Sequence, residues 1–177
     1  MTSENTPMRN RALARFRAAT SYWLATTRPD GRPHTAPIWG VWMDDAFWFG
    51  TSGQKASNLA RMPYAVIHLD SGEDTVILEG EVTTIDAPSS FIDRVAIAYQ
   101  SKYVNGQTGA PYQLRREIGT SGNIYRCDPE RGHAWLQGAF EETLTSWNFP
   151  PVPGLKRSLA SRPLGSQGLS TASHPDS

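Results

Sequence analysis

A single cysteine, Cys127, is all the chain holds, so an internal disulfide is excluded and a thiolate metal cluster with it. That scarcity fits a reducing compartment, and a cytoplasmic location is expected. No run of about 18 apolar residues occurs, which excludes a membrane-spanning helix. Met1–Pro7 is polar and lacks the apolar centre of a signal peptide. A surplus of either charge is missing as well. Seventeen basic side chains face seventeen acidic ones, so no net field recruits nucleic acid or an anionic membrane. An anionic ligand must then be caught by a local site. The four histidines, His34, His68, His133 and His174, fall in no ligand or triad spacing, and no Gly-x-Ser-x-Gly elbow exists. Asp44-Asp45 reads as a turn rather than a metal site, so no metal is expected.

What is present fits one domain. With 177 residues and 38% hydrophobic content the chain can bury a real core. Arg9–Ala19 has helical spacing, Leu13 and Phe16 being three apart, with arginines at 9, 11, 15 and 17 on a solvated basic face. The pattern then turns strand-like. Ser21–Thr27 is aromatic and β-branched, Arg28–Arg32 is a Pro-Asp-Gly turn, Pro33–Trp42 is a second strand, and Ala46–Thr51 is a third beyond the Asp44-Asp45 turn. Pro37 cannot donate to a ladder, so its strand is an edge or is bulged there.

Further along, Lys55–Met62 is a short helix that Ser52 or Gly53 leads into and Pro63 closes. Ala65–Asp70 and Thr75–Ile85 are strands, the longer one carrying Gly80 at a bend expected for a barrel corner. Pro88–Tyr103 is a helix with Phe91, Val95, Ala98 and Tyr99 on one face. Asn105–Ser121 reads as a loop with a helical turn near Leu114–Ile118. Asn123–Cys127, His133–Gln137 and Glu142–Phe149 are the last strands. Many short strands with a few inserted helices predict a mainly β fold, a closed antiparallel barrel rather than a parallel sheet. It occupies residues 10–149, between a flexible stretch, residues 1–9, and a Pro/Ser/Gly-rich tail, residues 150–177, that is expected to be disordered or loosely packed.

The segment with chemical promise is Thr51–Asn58. A strand ends there, two small residues follow, and a helix opens with Lys55 in its first turn. Free backbone N–H groups and the positive end of the helix dipole collect at such a point. A lysine there opposes the dipole by a few tenths of a kcal/mol, a cost that an anion would reverse. A plain capped helix with an exposed lysine explains the local pattern equally well. The aromatics Trp39, Trp42, Phe47, Trp48 and Phe49 lie on strands leading into that helix. Most of them suit a barrel core, while Trp39, between Pro37 and Gly40, is the best candidate to face a planar ligand.

Taken together, "YWLATTRPDGRPHTAPIWGVW", "FWFGTSGQKASNLARMPYAVIHLD" and "VILEGEV" resemble the pyridoxamine 5′-phosphate oxidase-like flavin-binding split barrels, and more narrowly their branch that uses the deazaflavin coenzyme F420. The resemblance covers about Phe16–Phe149. It implies a homodimer with the cofactor at the subunit interface: ring along Thr35, Ala36, Pro37, Ile38 and Trp39, phosphate at Thr51, Ser52, Lys55 and Asn58. The partner would contribute from near Thr75–Glu79, Trp135 and Trp147. The family's Arg-Lys phosphate pair stands here as Gln54-Lys55, which points from FMN toward F420. The arginine-rich C-terminal substrate motif of authentic pyridoxamine phosphate oxidases is replaced by "WLQGAFEETLTSWNF", so oxidation of pyridoxamine phosphate is not expected. The implied activity is hydride transfer between F420 and a small organic substrate, with Tyr99, Tyr103 or a water as proton donor. The alternatives are an FMN-dependent oxidoreductase and a flavin, haem or tetrapyrrole carrier without turnover.

Overall fold

The computed structural model describes residues 6–85, 90–114 and 123–151. Thr6–Ala18 forms α1, starting three residues before the helical pattern becomes legible. The strands are β1 Tyr22–Thr27, β2 Pro33–Ile38, β3 Gly40–Met43, β4 Ala46–Thr51, β5 Tyr64–His68, β6 Asp74–Ile85, β7 Asn123–Leu136 and β8 Thr145–Asn148. Between them lie α2 Gly53–Arg61, α3 Ser90–Lys102 and α4 Phe140–Thr143.

All strands join one antiparallel sheet in the order β2-β1-β5-β6-β7-β4-β3, with β8 added on β7. The two ends of that order, β2 and β3, are separated in sequence by Trp39 alone. Consecutive Cα atoms lie about 3.8 Å apart, so Ile38 and Gly40 cannot be more than roughly 7 Å apart. The sheet must therefore curl until its two edges meet, and the split barrel follows from connectivity.

The expected single strand Pro33–Trp42 is thus two strands. Pro37, opposite Trp23, sits on an edge where its missing N–H costs no ladder bond. Gly40 then takes a place no side chain fits: a Cβ there would lie 2.3 Å from Phe47 Cζ and 2.6 Å from the Trp48 carbonyl oxygen. Asp44 and Asp45 both have positive φ, 50° and 54°, as a two-residue hairpin turn between β3 and β4 requires. Gly80 marks the expected bend. The β6–β7 register shifts between Glu79 and Gly80, where a Cβ would come within 2.1 Å of the Asp128 carbonyl oxygen.

The last strands also differ from the sequence pattern. Asn123–Leu136 is one continuous strand across the expected break. Its first half pairs β4 and its second half pairs β8. Phe140–Thr143 is helical, so the closing strand begins at Thr145 rather than Glu142. The helical turn expected near Leu114–Ile118 lies outside the described residues beyond Leu114, as does the tail beyond Pro151.

Two cores form on opposite faces of β3 and β4. Inside the barrel are Tyr22, Leu24, Phe47, Phe49, Ile67, Leu78 and Tyr125, with Phe16 of α1 plugging one end. Outside, α3 lays Ile92, Val95, Tyr99 and Tyr103 over Val41, Trp48 and Ile124. The apolar run Ala46–Phe49 is buried on both sides for this reason. Of the helix face expected on α3, Val95 and Tyr99 are buried and Ala98 packs beside them, while the side chain of Phe91 lies outside the described residues. The basic face of α1 is not simply solvated. Arg11 and Arg15 converge on Asp74, whose carboxyl is held below its usual range first by the hydrogen bond from Arg11.

Gly40→Ala should cost about 1–3 kcal/mol by overpacking the corner. Urea unfolding of the variant checks this, and an unchanged midpoint would mean the corner has room for a methyl group.

Candidate functional site

The closure of β2 onto β3 leaves a cleft of about 350 Å³ beside it. Pro37, Ile38 and Trp39 form one wall, Gly50, Thr51, Ser52 and Lys55 form the other, and Tyr99 lies between them. Local sequence explains the second wall. β4 ends at Thr51, Ser52 is extended (φ −140°), and Gly53 adopts φ +61°, a left-handed conformation suited to glycine. The helix therefore opens at Gly53, two residues earlier than Lys55. No acidic residue stands in its first turn, and the Ser52 hydroxyl makes no cap bond. The first-turn N–H groups, that hydroxyl and the Lys55 ammonium are thus concentrated at one end of the cleft. Lys55 has no carboxylate partner among the described residues.

Six of the ten residues singled out by sequence meet here: Pro37, Ile38, Trp39, Thr51, Ser52 and Lys55. Thr35 and Ala36 lie further along β2, opposite Ala25 and Leu24, outside the lining. Asn58 is turned away and fully buried. Its Nδ2 donates to Thr26 Oγ1 (2.9 Å), which docks α2 on β1, and its Oδ1 accepts from Gln54 Nε2 (2.7 Å) one turn earlier on the same helix, so both amide ends are occupied. Thr75 is buried on β6 opposite Trp135, and its hydroxyl donates to the Gly72 carbonyl (3.2 Å). Trp147 is also buried, filling the space left by Gly132, and has no surface to offer a second chain.

The aromatic wall is more built than the sequence suggested. Trp39 stacks on Tyr103 (centroids 4.9 Å apart, planes 6° apart), and Tyr112 meets it edge-on at 5.0 Å. Trp39 nevertheless stays 38% exposed. Tyr103 is locked from below. Its hydroxyl accepts the Gly40 N–H and donates to the Gly40 carbonyl, both at 2.9 Å, and burial pushes its pKa up to about 12. Tyr103 is thus engaged with the Gly40 backbone, while Tyr99 is the phenol on the cleft lining.

Behind the wall, Lys102 Nζ donates to Tyr22 Oη (2.7 Å), the Gly40 carbonyl (3.1 Å) and the Arg17 carbonyl (3.3 Å). Burial lowers its pKa to about 8. Sequence reading missed this residue, because a lysine in a last helical turn looks like an ordinary dipole partner. The available signal was its place three residues after Tyr99 and beside Tyr103, on the buried side of α3.

The family model described as "Pyridoxamine 5'-phosphate oxidase" matches residues 8–135. The chain belongs to that family. No curated protein matches it. Among solved structures, the family barrel recurs in a conserved hypothetical protein of Mycobacterium tuberculosis (25% identity, TM-score 0.57, covering 77% of this chain and 86% of that one). A putative 5-nitroimidazole antibiotic resistance protein of Bacteroides thetaiotaomicron is similar at 13% identity and TM-score 0.57, covering 75% and 84%. The haem storage protein HutZ of Vibrio cholerae is similar at 14% identity and TM-score 0.53, covering 71% and 89%. The last two likenesses show the fold alone. Among the described residues no cluster of three or more metal-ligating side chains exists, and no helix is long and apolar enough to cross a membrane.

The buried ammonium predicts a pH signature in stability. Lys102 holds its proton less tightly in the fold, at about 8, than at its ordinary value of 10.5. Between these values the unfolded chain binds more protons, so stability from this group rises with pH, and its cost is fully present below pH 8. The unfolding free energy of the wild type minus that of Lys102→Met should therefore grow from pH 8 to 10.5. Denaturant titrations at both ends check this, and a constant difference would contradict it.

Proposed function

We propose that the cleft seats a deazaflavin of the F420 class and that the chain is an oxidoreductase passing a hydride to or from a small organic substrate. The observation that carries this reading is the single cation of the phosphate end. Lys55 stands alone there, while Gln54, at the neighbouring position, turns its amide onto Asn58. A phosphate monoester such as that of FMN carries close to two charges at neutral pH, and a diester such as that of F420 carries one. One ammonium, a hydroxyl and a helix N-terminus match the diester better.

When bound, the deazaflavin supplies the hydride from its C5. The chain's own residues bind and orient. Ser52, the first-turn N–H groups of α2 and Lys55 hold the phosphate. Trp39 offers a flat apolar surface at the open end, and Pro37 and Ile38 would line the space for the ring. Tyr99 is the group on the lining that can hold a proton for a reduced substrate. For haem the lining offers no histidine, cysteine or methionine, and leaves the Tyr99 phenol as its one group of a common axial-ligand type.

A second copy of the chain would complete the site. Trp23, His68, Ile77 and His133 lie in register on the outward face of β1, β5, β6 and β7, and all are half-buried. Such a row suits a mate, and Trp135, with Phe140 edge-on at 5.9 Å, is the aromatic group best able to reach the mate's cleft. Sedimentation equilibrium should give a dimer.

Parallel titrations with F420, FMN and haem test the cofactor. F420 should bind more tightly than FMN. Lys55→Ala should weaken F420 by about tenfold or more, as expected for a charge-assisted contact worth about 1.5–3 kcal/mol. Gln54→Arg, by adding a second cation, should raise FMN affinity selectively. FMN binding more tightly than F420 in the wild type would move the assignment to a flavin enzyme, and a Soret band on haem addition would move it to a haem carrier.

A further inference from the structure

The three-way cage around Lys102 has no part in the chemistry above, yet it touches the residue that makes the cleft. The Gly40 carbonyl accepts from Lys102 Nζ and from Tyr103 Oη, while the Gly40 N–H donates to Tyr103 Oη. Gly40 directly follows Trp39, so Tyr103 holds the N–H of the peptide that leaves Trp39, and Tyr103 and Lys102 together hold the carbonyl of the peptide after it. The same ammonium lies 4.9 Å from the Tyr22 ring centroid and 5.6 Å from that of Tyr103, the ring on which Trp39 stacks.

We infer that Lys102 is a positioning residue for the cleft: by gripping Gly40 and Tyr103 from beneath, its ammonium sets the plane of the Trp39 ring against which a ligand lies. This rests on the reading of the cleft as a ring-binding site only for its effect on affinity, not for its effect on Trp39. The ammonium is suited to the task because it has three donors for three acceptors, the Tyr22 hydroxyl and the Arg17 and Gly40 carbonyls. A neutral amine has two. Loss of the proton removes one of these bonds and the charge that strengthens the rest.

The groups facing Lys102 leave the titration to it. From α1 comes Arg17, whose guanidinium is turned to Asp45 at 3.7 Å. From β1 comes Tyr22, pushed upward chiefly by burial, and just past the end of α3 stands Tyr103, likewise raised. The β2–β3 corner presents only backbone. Neither tyrosine ionises between pH 7 and about 9, the window in which Lys102, lowered to about 8, does.

The test follows the indole N–H resonance of Trp39, assigned with Trp39→Phe, in the full chain from pH 6.5 to 9.5. In the wild type it should shift with a midpoint near pH 8. In Lys102→Met it should sit away from its wild-type low-pH position and stay constant. Lys102→Arg keeps the charge throughout and should hold the low-pH position to the end of the range. A titration that is unchanged in Lys102→Met, or no titration in the wild type, overturns the inference. Should Lys102→Met fail to fold, the arginine variant decides alone: a persisting midpoint near pH 8 means another group is responsible. In a second arm, F420 affinity should fall severalfold across the same window in the wild type but not in Lys102→Arg. If F420 and FMN both fail to bind the wild type, the cofactor reading fails while the Trp39 titration still decides the role of Lys102.

Discussion

The structure hangs on one corner, the step from Ile38 through Trp39 to Gly40. There the chain leaves one edge of the sheet and begins the other, and so closes the barrel. A proline that cannot pair, a glycine with no space for a side chain, and one tyrosine bonded to both polar groups of Gly40 hold that step. The cleft exists because the corner brings the end of β2 alongside the end of β4, and Trp39 is at its mouth because it is the residue left between the strands.

The two cores depend on the same closure. β3 and β4 are covered by the barrel interior on one face and by α3 on the other, so a polar surface is not available to either. The helix that seals the outer face also delivers Tyr99 to the cleft, Tyr103 to Gly40 and Lys102 to the space beneath. One amphipathic helix thus does both the packing and the positioning, which is why these three residues lie within a single turn of each other.

Much of this was legible in the sequence, for physical reasons. The turns at Pro29-Asp30-Gly31 and Asp44-Asp45 carry their own backbone preferences, and Gly80 announced its bend. Trp39 stood out because its neighbours, Pro37 and Gly40, are poor strand residues. What could not be read was tertiary. The break at Trp39 and the fusion of two expected strands into β7 are decided by which strand lies alongside, not by local preference. Asn58 has the composition of a phosphate ligand, but its direction on the helix, toward Thr26, is set by how α2 docks. Lys102 looked like a surface lysine because its place beside Tyr103 hints at burial but not at the three acceptors that converge on it.

Family membership fixes the barrel, and the proposed deazaflavin rests on the single cation at the start of α2. The most direct measurement is an amide and indole chemical-shift map of the isotope-labelled chain as F420 is added. The account predicts that the largest shifts fall on the backbone amides of Ser52, Gly53, Gln54 and Lys55 and on the Trp39 indole. Shifts confined to the outer sheet face around Ile77 and His133, with the α2 N-terminus and Trp39 unmoved, would contradict it.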